Sequence, residues 1–149
     1  MESHPDFESV DFPRDADIGE FLLTPLDASA MEEDFEAVNS SLGVLRGLFG
    51  DDWPEGLTRQ ENLTDLHWHD REFTLRRSFS WVVRDPQGTY LGCAYLFPAP
   101  GAQGSAQVYT WIRDMPDRSA RNKRLNAALA TWLSDTLPGD ITLTWQNPD

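Results

Sequence analysis

Two histidines and three carboxylates lie within eight residues, in the run DLHWHDRE; these are Asp65, His67, His69, Asp70 and Glu72. A neutral imidazole accepts a proton near pH 7, so His67 and His69 are candidate general bases that would take a proton from an ammonium group. Their two-residue spacing turns them about 160° apart around a helix, unlike the four-residue spacing of helical zinc ligands, and we predict no metal site. The alternative, that either histidine only hydrogen-bonds to Asp65 or Asp70, stays open.

A basic cluster occupies the stretch WIRDMPDRSARNKRLNAAL, residues 111 to 129. It holds five of the chain's 12 basic residues: Arg113, Arg118, Arg121, Lys123 and Arg124. If these residues open a helix, each opposes the helix dipole at a cost of about 0.3 to 1 kcal/mol, unless something negative lies among them. The unpaired backbone N–H groups of a helix start also attract anions. The cluster therefore predicts either a phosphate ligand or ion pairs with the chain's own Glu and Asp residues.

Tyrosine, cysteine and tryptophan supply the remaining candidates. Tyr109 shares one face of a predicted strand with Gln107, where it would orient an acceptor, donate a proton or pack in the core. Cys93 follows Gly92 within a strand, which indicates a bulge or a tight packing site rather than a nucleophile. Six tryptophans could line an apolar pocket, although packing alone also explains them. They are Trp53, Trp68, Trp81, Trp111, Trp132 and Trp145.

Two regions are predicted. Residues 1 to 19 mix Asp, Glu, Pro and Ser without periodicity, which indicates a flexible acidic lead-in. Phe7, Val10 and Phe12 could still dock on the surface. Residues 20 to 149 are predicted to form a single domain.

The first elements of this domain are one strand and two helices. The run EFLLTPL predicts a strand at about residues 20 to 24. Apolar residues at three- and four-residue steps predict a helix from Asp27 to Phe49, with a break near residues 40 to 43, where Ser, Ser and Gly lower helix propensity. Thr58 and Glu61 have the spacing of a capping box, so a second helix begins there and runs to about residue 77.

The later elements alternate with a period of two. SFSWVVRD, the DPQG turn and TYLGCAYLF predict a hairpin, and SAQVYTWIR extends it to an antiparallel meander. After the basic cluster, Leu125, Leu129 and Leu133 trace a helical face that ends before Pro138 and Gly139. The strand ITLTW follows. A strand, helix, strand order predicts a crossover and a parallel pairing, and thus a mixed α/β sheet.

Composition excludes several classes of protein. The 149 residues are 40 % hydrophobic, which suffices for one domain with a real core. A net charge of -13 argues against nucleic acid and anionic membranes as partners. The single cysteine is typical of a reducing compartment, so we expect a cytoplasmic protein. No apolar run approaches the roughly 20 residues of a membrane span, and the acidic start lacks the order of a signal peptide.

The order strand, two helices, three-strand meander, helix, parallel strand resembles the core of the GNAT superfamily of acyl-coenzyme A dependent N-acyltransferases. The resemblance covers roughly residues 20 to 146. It implies that the strand SAQVYTWIR splays from the next strand and that the loop RDMPDRSARNKR cradles the pyrophosphate of acetyl-coenzyme A. The residues expected near this cofactor are Trp111, Ile112, Arg113, Arg118, Arg121, Asn122, Lys123 and Arg124.

The resemblance also implies an activity, the transfer of an acetyl group from acetyl-coenzyme A to an amine. A deprotonated amine would attack the thioester directly while strand N–H groups polarise its carbonyl. His67, His69 and Tyr109 are the catalytic candidates. Because residues 1 to 72 hold 19 of the 25 acidic groups, a cationic acceptor is favoured, either a small-molecule amine or a protein amine.

Two features depart from the family's pattern. No glycine occurs between Gly104 and Gly139, although the family's loop spaces glycines so that backbone can approach phosphate. The sequence also stops after ITLTWQNPD, where family members usually continue. Three interpretations stay open: an acyltransferase that binds coenzyme A through side chains, a degenerate domain with another ligand, or a catalytically inactive dimerisation module. In the last case the final strand would be a sheet edge, and a homodimer is expected.

Overall fold

The computed structural model describes residues 3–50 and 52–148, which form a mixed α/β fold. One six-stranded sheet holds the strands in chain order, and every neighbouring pair is antiparallel except the last, which is parallel. The strands are β1 Ala16–Asp17, β2 Leu22–Pro25, β3 Phe79–Arg84, β4 Tyr90–Pro98, β5 Ser105–Ile112 and β6 Thr142–Gln146. The helices are α1 Met31–Asn39, α2 Leu42–Leu45, α3 Arg59–Thr74 and α4 Arg118–Thr136. The predicted order of elements is confirmed from β2 onward, whereas β1 lies within the predicted lead-in and is not among the predicted strands.

The predicted helix over residues 27 to 49 is interrupted where its composition indicated. It opens with a 3₁₀ turn, in which Asp27 Oδ1 accepts a hydrogen bond from the N–H of Ser29 at 3.0 Å. Helix α1 ends at Asn39, and α2 is a single turn. Within the break, Ser41 Oγ accepts a hydrogen bond from the N–H of Asp114 at 2.9 Å. The break therefore anchors the loop that follows β5.

The capping box predicted for the second helix is present at the start of α3. Thr58 Oγ1 accepts from the N–H of Glu61 at 3.1 Å, and Glu61 Oε1 accepts from the N–H of Thr58 at 3.2 Å. These bonds satisfy backbone donors that a helix start leaves unpaired. The helix ends at Thr74, earlier than predicted, because Arg76 turns the chain with a left-handed φ of 55°.

Helices cover both faces of the sheet, which explains why β3 and β4 are buried almost throughout. On one face, Leu125 and Leu129 of α4 pack into the core. On the other face, Val38 of α1 and Leu66 of α3 share a second core with Trp111 of β5. Within the described residues, no helix is both long and apolar enough to cross a membrane.

The segment expected to be a flexible lead-in packs against the sheet over its described part, residues 3–19. Phe7, Val10 and Phe12 are each 4 % exposed or less, within the core on the α4 face. Trp81 Nε1 donates a hydrogen bond to the carbonyl oxygen of Pro13 at 3.0 Å. Burying a large apolar side chain contributes about 1.5 to 3 kcal/mol, so three of them outweigh the polar composition of the segment.

A buried polar cluster joins α1, α3 and β4. Asp34 is 5 % exposed and accepts hydrogen bonds from Asn62 Nδ2 at 3.0 Å and from the Tyr90 hydroxyl. Burial raises the pKa of Asp34, although the hydrogen bonds from Tyr90 and Asn62 oppose the rise. Burial also raises the pKa of the Cys93 thiol well above its ordinary range, which makes the thiolate scarce. The cluster is a structural clamp between two helices and the sheet.

Candidate active site

Strand β6 ends before its parallel neighbour β5. Their last paired residues are Tyr109 and Gln146, whereas β5 continues to Ile112. Residues 110–112 pair with β4 only, so their other edge has no strand partner among the described residues. The splay of these strands that the family resemblance implies stays a prediction.

Amide side chains of α4 hydrogen-bond to Thr110 near the end of β5. Asn122 Nδ2 donates to Thr110 Oγ1 at 2.9 Å, and Thr110 Oγ1 donates to Asn126 Oδ1 at 2.6 Å. Asn122 is 1 % exposed, and its Oδ1 has no hydrogen-bond partner in the described part of the chain. An unpaired buried polar group costs about 1 to 3 kcal/mol. The position thus suits a ligand that brings an N–H or O–H donor.

Helix α4 begins directly after the loop that follows β5. Its N-cap residue, Asp117, makes no side-chain capping hydrogen bond within the described chain. Ser119 and Ala120 in the first turn are small and exposed. The N–H of Arg118 donates to the carbonyl oxygen of Met115 at 3.1 Å, and the N–H groups of Ser119 and Ala120 follow at a helix start, which carries a partial positive charge. These features fit a phosphate group although the loop contains no glycine.

Two arginines near the helix start pair with carboxylates from the acidic first part of the chain. Arg113 Nη2 lies 2.8 Å from Oε1 of Glu36 in α1. Arg124 Nε lies 2.7 Å from Oε1 of Glu20, which precedes β2. One of the two predicted explanations for the basic cluster, ion pairs within the chain, is therefore present in the structure.

The other cofactor candidates within α4 differ in exposure. Arg121 Nη2 lies 3.0 Å from Asp117 Oδ2, and this hydrogen bond lowers the pKa of Asp117. Arg118 is partly buried at the first helical position, and Lys123 is exposed. Lys123 is thus a cation on the open surface of the helix.

Trp111 and Ile112 lie at the end of β5 with fully buried side chains. Trp111 Nε1 donates a hydrogen bond to the Tyr95 hydroxyl at 3.1 Å, inside the core on the α3 face. Either residue could reach a cofactor only through backbone atoms.

A pocket of about 150 Å³ lies on the α3 side of the sheet. Its aromatic walls come from the segment after α2, from α3 and from β4, and they are Phe49, Trp53, Trp68, Tyr95 and Phe97. The ring centroid of Phe49 lies 4.9 Å from those of both Trp53 and Tyr95, with the rings edge to face. Two of the six tryptophans therefore line a pocket, as the composition allowed.

The polar groups of this pocket are Asp65 and His69, one turn apart on α3. His69 is 7 % exposed, and its Nε2 lies 3.7 Å from Asp65 Oδ2. At 3.7 Å these two atoms form no hydrogen bond; we assign the proton of a neutral imidazole to Nε2, on the side of the carboxylate, which makes Nδ1 the acceptor. Nδ1 is buried and has no hydrogen-bond partner among the described residues. The pocket thus contains one negative charge and one unused acceptor.

The three catalytic candidates are placed differently. His67 is exposed on α3 and lies outside the pocket, as expected from its two-residue separation from His69. The ring centroid of Tyr109 lies 5.0 Å from that of Phe49 and 5.6 Å from that of Phe97, at the edge of the pocket. His69 lines the pocket, whereas Tyr109 contacts two of the pocket's wall residues without lining it. No group of three or more His, Cys, Asp or Glu within the described residues could hold a metal ion.

The sequence did not single out Phe49, Tyr95 and Phe97 as parts of a site. Strand alternation puts Tyr95 and Phe97 on one face of β4, and Tyr95 pairs with Tyr109 across the hairpin. This register is the signal that could have found the two β4 residues. Phe49 precedes a long loop and carries no comparable signal.

Comparison with known proteins bears on the fold. The sequence matches no protein-family model and no curated protein. The structure is similar to RimL, a ribosomal L7/L12 alpha-N-protein acetyltransferase in complex with coenzyme A, with 16% identity, 85% of this chain and 70% of that chain covered, and a TM-score of 0.65. It is also similar to the microcin C7 self-immunity acetyltransferase MccE in complex with acetyl-CoA and AMP, with 11% identity, 87% and 72% covered, and a TM-score of 0.62.

A third similar structure is an acetyl transferase from Salmonella typhimurium that modifies the N-terminal serine of the 50S ribosomal subunit protein L7/L12. It shares 12% identity, with 84% of this chain and 69% of that chain covered, and a TM-score of 0.61. At these identities the similarity establishes the fold, and an argument about activity must come from the site.

Proposed function

From the GNAT superfamily fold of the chain, we propose that it transfers an acetyl group from acetyl-coenzyme A to an amine. The observation that carries the proposal is the start of α4, which has no side-chain cap, close to the end of β5 that has no strand partner on one edge among the described residues. One place thereby offers helix N–H groups, a free strand edge and the unused Oδ1 of Asn122. A coenzyme with a phosphorylated end and an amide-bearing arm requires these three kinds of group.

The start of α4 would hold the phosphates. Lys123 is exposed there, and the Arg124 side chain, 49 % exposed, lies on the same helix. An exposed ion pair such as Arg124–Glu20 contributes only about 0 to 1 kcal/mol, so a phosphate can replace its carboxylate. Asn122 Oδ1 would accept a hydrogen bond from the coenzyme arm.

Bound acetyl-coenzyme A would supply a thioester carbonyl, which an amine nitrogen attacks as the carbon–sulfur bond breaks. His69 would accept the proton that an ammonium group must lose before its nitrogen can attack. Tyr109, on the strand that leads to the helix start, would orient the acceptor or donate a proton to the leaving thiolate. Backbone N–H groups at the free edge of residues 110–112 would polarise the carbonyl.

Calorimetric titration of acetyl-coenzyme A into the full chain tests the proposal. We expect micromolar binding, and we expect it to be lost when Arg121→Ala, Lys123→Ala and Arg124→Ala are combined. The matched control combines Arg46→Ala, Arg59→Ala and Arg76→Ala, which removes the same charge from exposed arginines elsewhere. Equal weakening by the two triple variants would mean that only net charge matters. No binding at high concentration would overturn the proposal.

One observation favours a second candidate, a catalytically inactive module of the same fold. The arginines at positions 113, 121 and 124 are already paired with carboxylates of the chain, and the outer edge of β6 has no partner among the described residues. Such an edge can pair with another strand. Light scattering would show a dimer, and Leu143→Pro on β6 would dissociate it. The N–H of Thr142 donates to Gly104 on the β5 side, so the N–H of residue 143 faces the outer edge, and proline removes that donor.

A further inference from the structure

We infer that the aromatic pocket binds a primary alkylammonium group, held by the ring faces, by Asp65 and by the unused acceptor of His69. The inference deepens the proposed function in one respect, since it identifies this ammonium as the acetyl acceptor. Binding itself requires only the pocket, so it can be measured without the coenzyme.

The walls suit a small cation. Aromatic faces attract an ammonium group placed within about 6 Å of the ring centroid, with about 0.5 to 2 kcal/mol per favourable contact. Phe49 contacts both Trp53 and Tyr95 in the pocket wall, and Trp68 lines the pocket from α3. A volume of about 150 Å³ accommodates one short side-chain-sized group. A bulky ligand could insert only its end.

The charge around the pocket selects a cation over a neutral or anionic group. The Asp65 side chain is 54 % exposed and lies in the pocket wall. An adjoining groove of about 540 Å³ adds Glu61 next to the apolar side chains of Leu57 and Trp68. The ligand is therefore expected to carry an apolar body beside its ammonium group, with the body in the groove.

The unused acceptor of His69 distinguishes primary from quaternary ammonium. His69 lines the pocket and is only 7 % exposed. Its Nδ1 atom has no hydrogen-bond partner within the described chain. A primary ammonium has three N–H donors, whereas a quaternary ammonium has none. Cation–π attraction alone would hold both, so a preference for the primary form reports on His69.

The test is a titration of the full chain with n-butylammonium, butyltrimethylammonium and n-butanol, followed by the indole N–H signals in ¹H–¹⁵N NMR spectra. We expect the signals of Trp53 and Trp68 to shift while that of Trp81, which is buried on the other face of the sheet, stays unchanged. A cation–π energy of about 0.5 to 2 kcal/mol corresponds to a factor of about 2 to 30 in affinity, so butylammonium should bind more tightly than butanol by this factor. Equal affinity of the two would overturn the inference, as would the absence of any shift.

Variants separate the contributions. Trp68→Leu should weaken both ammonium ligands, and Asp65→Asn should weaken both several-fold, whereas Asp135→Asn on the exposed end of α4 should change neither. His69→Leu should abolish the preference for the primary ammonium, and His69→Asn, which keeps an acceptor near Nδ1, should retain it. Preservation of the preference in His69→Leu would show that His69 does not contact the ligand.

Failure of this inference and failure of the proposed function give different results. Ammonium binding without acetyl-coenzyme A binding leaves an amine-binding pocket on a fold that does not use the coenzyme. Acetyl-coenzyme A binding without ammonium binding overturns the pocket and leaves the transferase with an acceptor site elsewhere.

Discussion

Arg124 in α4 donates a hydrogen bond to Glu20, 104 residues earlier in the chain, with Nε 2.7 Å from Oε1. Arg113 and Glu36 form a similar pair toward α1. The acidic first part of the chain thus supplies counter-charges to the basic cluster. Both pairs are partly solvent-exposed, so they are weak enough to exchange with a phosphate.

We predict that Glu20→Gln tightens acetyl-coenzyme A binding by up to about five-fold. The substitution removes a competing charge whose pair with Arg124 is worth about 0 to 1 kcal/mol. Calorimetric titration measures the change. Glu8→Gln, at an exposed position, removes the same charge without freeing a cation and should have little effect. Weaker binding in Glu20→Gln would contradict this account, because it would mean that Glu20 supports the site and does not compete for Arg124.

Gly92→Ala is expected to destabilise the fold by about 1 to 3 kcal/mol. A Cβ atom at this position would lie 1.9 Å from the carbonyl oxygen of Trp111 on β5, and a backbone atom in a paired strand cannot move aside easily. Urea unfolding at constant pH measures the loss. This close approach is the tight packing site that was predicted next to Cys93.

Gly43→Ala in α2 is the control for that substitution. A Cβ atom there meets nothing within 4 Å, and the residue lies in a helix. We expect it to be neutral or to stabilise by about 0.4 to 1 kcal/mol, because alanine restricts the unfolded chain. Equal losses from the two substitutions would mean that the contact with Trp111 is not responsible.

The Asp34 carboxyl is expected to make the fold less stable as pH rises. Burial raises the pKa of Asp34 above 3.8, so the folded protein holds this proton more tightly than the unfolded chain. Its contribution to stability is therefore fully present below about pH 3.8 and falls as pH rises toward the folded-state pKa. The unfolding free energies of wild type and Asp34→Asn are measured from about pH 4 to about pH 7. As pH rises over this range, the wild type should lose stability relative to Asp34→Asn.

Glu33 is the neighbouring control with the opposite sign. The hydrogen bond from Arg84 lowers the pKa of Glu33 below 4.5, so its contribution is present above about pH 4.5 and is lost as pH falls. In the same measurement, the wild type should gain unfolding free energy relative to Glu33→Gln as pH rises. Slopes of the same sign for Asp34 and Glu33 would contradict this account.

Phe7→Ala should destabilise the fold by about 3 to 5 kcal/mol, since the side chain is fully buried and packs edge to face on Phe79 at 5.3 Å. Glu8→Ala, one residue later and exposed, should change stability by less than about 0.5 kcal/mol. Thermal unfolding distinguishes them. A negligible effect of Phe7→Ala would restore the interpretation of this segment as a lead-in outside the core.

The sequence by itself determined the order and type of the elements. Helix periodicity, the capping box at Thr58 and Glu61 and the two-residue alternation of the strands are local signals, readable from residues a few positions apart. They also indicated the break after Asn39 and the tight site at Gly92. The acidic composition of residues 1 to 19 predicted a flexible lead-in. Phe7, Val10 and Phe12 are nevertheless buried, because the burial of these three side chains outweighs the average polarity of the segment.

Only the tertiary structure decided which of these residues meet. Glu20 reaches Arg124, and Phe49, Trp68 and Tyr95 close one pocket, although the members of each set lie far apart in the chain. The two histidines differ for the same reason: both sit on α3, yet only His69 faces the sheet. Strand register and helix packing set these contacts, and both depend on long-range burial that no local pattern encodes.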